Sequence, residues 1–155
     1  MRNLVKSTII ALATVGTLAG PLTAPVFAQT TAAEQVLNTS GTFAKKKYKI
    51  KGNWSVVQRD GQTFIKLSDD FKTKNGPDLK IFLSPNTVDR VNGKNAVNDA
   101  INLGALKSNK GGQEYLVPAG INLANFNSVL VHCEAYSVLW GAGDLSASLK
   151  TNHGS

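Results

Sequence analysis

One cysteine, two histidines and a scatter of carboxylates are the side chains of this sequence that could do chemistry. Cys133 ends the apolar run Ser128-Val129-Leu130-Val131-His132-Cys133, with Glu134 directly after it. A lone thiol cannot close a disulfide within its own chain. It is a packed core residue, a reactive thiol, a ligand, or half of an intermolecular bond. Successive side chains of a strand point to opposite faces. Val129, Val131, Cys133 and Ala135 then share one face, and Leu130, His132, Glu134 and Tyr136 the other. The Cys133 face is small and apolar, a setting typical of inert buried cysteine. Apolar surroundings also suppress the thiolate through which cysteine reacts. His132 and Glu134 lie on one face two residues apart and form a candidate acid–base pair; pairing on a strand surface is the plainer account.

The ligand inventory is restrictive. A blue-copper site needs two histidines and a cysteine converging, and only His132, His153 and Cys133 exist to try. No cluster has the spacing of a zinc site, and the haem-attachment pattern Cys-x-x-Cys-His is absent. No nucleophile stands beside a base, so no complete catalytic constellation is present. Asp69, Asp70 and Asp78 could help bind a cation, although turn carboxylates more often bond the local backbone. Lys45, Lys46, Lys47, Lys49 and Lys51 form a candidate anion-binding run. Lysines protecting an edge strand explain the same run without a partner. Trp54 and Trp140 read as core or rim packing.

The elements that must position these residues begin after a leader. Arg2 and Lys6 precede an apolar stretch that Gly20 and Pro21 break, and Val26-Phe27-Ala28 is a small-x-small cleavage site. Residues 1–28 are expected to be a secretory signal peptide. The stretch is too short to span a membrane, and no later segment could cross one. The cut leaves 127 of the 155 residues, the length of one domain. It leaves fifteen basic residues against ten acidic, a net +5. That balance favours anionic envelope components and is too dispersed for nucleic acid. The expected location is the periplasm, cell envelope or extracellular space.

Residues 29–40 read as a flexible leader, residues 41–149 as the domain, and residues 150–155 as a tail. Alternation predicts a half-buried strand from Lys47 to Lys51, with Tyr48 and Ile50 inward. Gly52 marks a bulge. Asp60-Gly61 predicts a type I′ hairpin between two strands. Asn75-Gly76-Pro77-Asp78 is a turn, and a strand follows over residues 79–83. Residues 87–101 form a polar, Asn-rich excursion with a helical turn near Ala96. Short strands follow near residues 103–106 and 113–117. The two most apolar stretches, residues 128–133 and 136–140, are expected to be central, with Gly141-Ala142-Gly143 ending the sheet. Seven or eight short strands with Gly, Asn and Pro turns predict an all-β fold, a single antiparallel β-sandwich of jelly-roll-like or barrel-like form.

Several of these pieces occur together in one known family. Gly52-Asn53-Trp54, Asp60-Gly61, Asn75-Gly76-Pro77-Asp78-Leu79, Leu103-Gly104-Ala105-Leu106-Lys107, Gly112-Gln113-Glu114-Tyr115 and the Cys133 strand followed by Trp140-Gly141-Ala142 resemble the DM-thirteen electron-transfer domain. The resemblance runs from about Ser40 to Leu145. It implies an all-β exported domain with the cysteine, here Cys133, as redox candidate, acting as a bare thiol or binding haem or another prosthetic group. A lone thiol cannot complete a two-electron cycle within its own chain, so it would need a thiol on a redox partner protein, a bound cofactor, or a second copy of itself. The resulting expectation is an exported accessory domain of electron-transfer type. The alternative is a non-enzymatic binding or adhesion module in which Cys133 only fills the core.

Overall fold

The computed structural model describes residues 35–146. The expected signal peptide, the start of the leader, the tail and His153 lie outside the described residues.

Ten strands follow in chain order: β1 (Gln35–Lys45), β2 (Ile50–Lys51), β3 (Asn53–Arg59), β4 (Gln62–Leu67), β5 (Lys72–Thr73), β6 (Leu79–Ser84), β7 (Ile101–Ala105), β8 (Gln113–Leu116), β9 (Ser128–Cys133) and β10 (Val138–Asp144). Eight of them form one antiparallel sheet in the order β7-β6-β9-β10-β1-β3-β4-β8, and β2 pairs with β5 alone. The sheet curls into a nearly closed barrel. Side chains of the edge strand β8 bond the segment that follows β7, the other edge strand. The Lys107 backbone N–H donates to the Tyr115 hydroxyl at 3.0 Å, and the Gln113 amide donates to the Ser108 carbonyl at 2.9 Å. The all-β expectation therefore holds in its barrel-like form.

Inward residues build the main core: Trp54 and Val56 from β3, Ile65 and Leu67 from β4, Ile81 and Leu83 from β6, Val129, Val131 and Cys133 from β9. Each alternates with its neighbours as the pleat requires. A second, smaller core lies on the outer face of β6, β9 and β10. There Phe82, Leu130, Leu139 and Ala142 meet Val91 and Ala96 of the Asn-rich excursion. The excursion thus acts as a lid on the sheet, held by turns such as Asn98 N–H to Asn95 C=O at 3.2 Å. Covered on both sides, β9 is buried along its whole length, which is why it reads as a nearly unbroken apolar run.

The Asp60-Gly61 turn forms as expected, with φ of 52° and 71° at its two central residues, the left-handed pair that a type I′ turn needs. Four expectations need correction. β1 begins at Gln35, inside the stretch read as leader. The strand expected from Lys47 shrinks to Ile50–Lys51, because a bend over residues 46–48 separates it from β1. The polar connection after β4 holds a strand, β5. Finally, β10 runs on through Gly141, Ala142 and Gly143 to Asp144 instead of stopping there. These glycines are packing positions: a Cβ on Gly141 would lie 2.8 Å from the Ile50 side chain.

Candidate functional site

Cys133 closes β9, opposite Leu79 of β6 and Val138 of β10. Its side chain faces the barrel interior and is fully buried, at 0 % exposure. It is a free thiol. The expected two-face split of β9 is seen from Ser128 to Cys133: Val129, Val131 and Cys133 join the main core, and Leu130 joins the outer one. A tight 3-10 turn over Glu134–Tyr136 then ends the strand, and Ser137 takes a left-handed φ of 50° to start the return into β10.

That turn separates the residues expected to pair. His132 is buried under the lid, where its Nε2 lies 3.2 Å from the Gly93 carbonyl oxygen and its ring packs edge-on against Phe82. Its Nδ1 is buried without a partner. Glu134 instead bonds the Lys80 ammonium on the surface, and Lys80 also lies 3.4 Å from Asp78. The hydrogen bond that the Lys80 ammonium donates to the Glu134 carboxylate is the main cause that raises the Lys80 pKa. The candidate acid–base pair His132 and Glu134 is therefore not assembled. The Lys80 contacts and the Glu134 N–H bond to the Asp78 carbonyl at 3.0 Å pin the end of β9 to the start of β6.

The loop over residues 75–78 caps this end of the barrel. A Cβ on Gly76 would fall 2.9 Å from Leu79 and 3.1 Å from the Trp140 ring, so only glycine lets the loop lie so close. The Trp140 ring packs at a tilt of 42° against Tyr48, with centroids 4.1 Å apart. Beside the loop opens a cleft of about 450 Å³ lined by Gly76, Asp78, Leu79, Leu106 and Asn109 among others. Leu79 belongs to this cleft and also stands directly opposite Cys133. Side chains so paired have Cβ atoms roughly 5 Å apart. Leu79 thus neighbours both the buried thiol and a surface cleft.

No three His, Cys, Asp or Glu side chains among the described residues could share a metal ion. His132 and Cys133 face opposite sides of β9, as strand alternation predicts. The surroundings of Cys133 do not fit haem: the thiol is enclosed by core side chains and lines none of the clefts described here. No helix among the described residues is long and apolar enough to cross a membrane.

The lysine run does not form one face. Lys45 ends β1, and the Lys46 ammonium reaches the Val88 carbonyl of the lid. Lys47 lines a groove against Asn92 and Gly93. Lys49 and Lys51 border a different cleft with Lys72 and Lys74. Sequence reading missed these last two, since a two-residue strand inside a polar connection carries no periodic signal.

A family model described as Electron transfer DM13 matches residues 42–145. Neither a curated protein nor a solved structure matches the chain. The match spans the strands from β2 to β10 and includes the cleft loop, Leu79 and Cys133, and the chain belongs to the electron transfer DM13 family.

Proposed function

We propose that this chain is an exported accessory domain of electron-transfer type whose redox group is Cys133. Family membership supports the electron-transfer role. The basic, apolar and small-residue pattern of residues 1–28 supports export. The observation that carries the site is the register of Cys133 opposite Leu79, a residue that also lines the surface cleft. Movement of Leu79 and the 75–78 loop exposes the sulfur.

The chemistry then follows thiol–disulfide exchange. The Cys133 thiolate attacks a partner disulfide, one S–S bond forms as another breaks, and a partner thiolate leaves. A thiolate of a second, dithiol partner attacks the Cys133 sulfur and releases the first partner's remaining thiolate; its other thiolate then closes the second partner's own S–S bond and releases Cys133 as a thiolate. The net step moves two electrons from the second partner to the first, and Cys133 is unchanged.

The test is labelling of the native protein with an aromatic disulfide reagent. The reading expects modification faster than global unfolding allows, with further acceleration in Leu79→Ala. Modification only at the unfolding rate, in both proteins, would overturn it. One observation favours a second reading, that of a binding module: the complete burial of Cys133. Under that reading Cys133→Ser lowers stability and leaves ligand binding intact.

A further inference from the structure

The small sheet β2–β5 carries a feature that neither the family nor the thiol explains. Lys51 stands directly opposite Lys72 in the ladder. On the other side of β5, Lys72 forms an isolated bridge with Lys110. Two backbone bonds frame that bridge, Gly111 N–H to Phe71 C=O at 2.9 Å and Thr73 N–H to Asn109 C=O at 2.8 Å. This is the pair geometry in which side chains stand closest. Directly opposed residues share a face, so Lys51, Lys72 and Lys110 form one cross-strand row. Lys49 and Lys74 flank it on the same face, two residues along from Lys51 and Lys72. The alternate residues Ile50 and Thr73 turn inward and are buried, whereas all five lysines are exposed.

Like charges placed directly opposite one another destabilise a sheet. Among the described residues no ion pair relieves the repulsion, and the ion pairs present belong to other lysines and arginines. Asp70 accepts from the Ser68 hydroxyl instead. Lys74 has only the Tyr48 ring, 5.8 Å from its ammonium. Edge protection alone needs one or two lysines, not a row across three chain segments. A cleft of about 350 Å³ opens against four of these lysines, Lys49, Lys51, Lys72 and Lys74, with Thr73 also in its wall.

We infer that the β2–β5 face is a binding site for a polyol-phosphate chain, joined by phosphodiesters and carrying no bases. The two lysine columns are stepped two residues apart along each strand, roughly 6.6 Å at the usual rise, and present a repeated cation pair to successive phosphates. A single-stranded nucleic acid fits less well. Its binding sites interleave cations with aromatic faces for the bases, and the Tyr48 ring is already packed at a tilt against Trp140. A flat membrane does not enter a cleft. The site is independent of Cys133.

The experiment uses the full mature chain and lipid-free poly(glycerol phosphate). Saturable binding that weakens with ionic strength is expected. Lys51→Glu with Lys72→Glu should lower affinity at least tenfold, and Lys45→Glu with Lys47→Glu, equal in net charge, by less than threefold. Lys51→Gln with Lys72→Gln serves if the reversal fails to fold. It should bind at least fivefold more weakly and melt at a higher temperature than the parent, because the repulsion is gone. Equal losses in the two reversal variants would show a mere net-charge effect and overturn the proposal. So would the absence of saturable binding. Tighter binding of an oligothymidylate, or of phosphatidylglycerol vesicles at matched phosphate, would overturn it in favour of those classes.

Discussion

The indole of Trp54 occupies the space that a side chain on Gly143 would need: a Cβ there would fall 2.0 Å from Nε1. Trp54 is buried at 1 % exposure, and the two residues come from β3 and β10, which flank β1. The missing side chain lets the last strand close over the largest side chain of the core. Gly143→Ala is therefore expected to destabilise the fold by about 1–3 kcal/mol, the usual cost of overpacking. Urea unfolding followed by tryptophan fluorescence measures it. An unchanged midpoint would show that the seam yields freely.

Replacing Cys133 by serine puts a hydroxyl into the apolar interior. The expected loss is about 1–3 kcal/mol, the cost of burying a polar group without a partner. Cys133→Ala avoids the hydroxyl and should cost less. If chemical denaturation ranks the two variants the other way, the interior around the sulfur holds an acceptor.

His132 ties the lid to the sheet through Gly93, and its ring packs against Phe82 of the neighbouring strand. His132→Ala removes both contacts and leaves a cavity, a change that costs about 2–4 kcal/mol at comparable core sites. Hydrogen exchange should rise over residues 87–100 and stay near parental values in β3 and β4. Uniform acceleration would mean that lid and barrel open together.

Glu114 predicts an acid limb. The Arg59 guanidinium, 2.9 Å away, is the main cause that holds its carboxyl below the usual glutamate value, with Lys66 and Lys107 adding to it. A depressed folded-state pKa contributes stability above the unfolded value, near pH 4.3 for glutamate, and that stability is lost as pH falls through the folded value. Glu114→Gln should be less stable than the parent near pH 7, with the gap closing below pH 4. The pair is partly exposed, so the gap is small and shrinks in salt. A pH series of thermal melts decides it; a gap that persists at low pH would point to packing.

Much of the barrel was legible because its signals are local. Alternation in β9 assigned Val129, Val131 and Cys133 to one face and Leu130 and His132 to the other. Asp60-Gly61 named its own turn. Other features depend on partners distant in sequence. Gly141 and Gly143 look like strand terminators until Ile50 and Trp54 are seen to fill their space. Glu134 shares His132's face only if the strand continues, and the 3-10 turn after Cys133 removes that condition. The lysine row needs three segments, around residues 51, 72 and 110, and no window along the chain contains them all. The lid hides its role because its few apolar residues, Val91 and Ala96 among them, serve a face of the sheet that short-range patterning cannot locate.

The place of β1 in the sheet has a consequence for how the molecule is made. The earliest described strand lies between β3 and β10, and its Phe43 pairs with Gly143. A nascent chain can form the β3–β4 hairpin early, but β1 stays half-paired until residue 144 has emerged. Pairings of such long range are slow to form. Until residue 144 emerges the barrel stays open along the β1–β10 seam, which is therefore the last part of the sheet to lock.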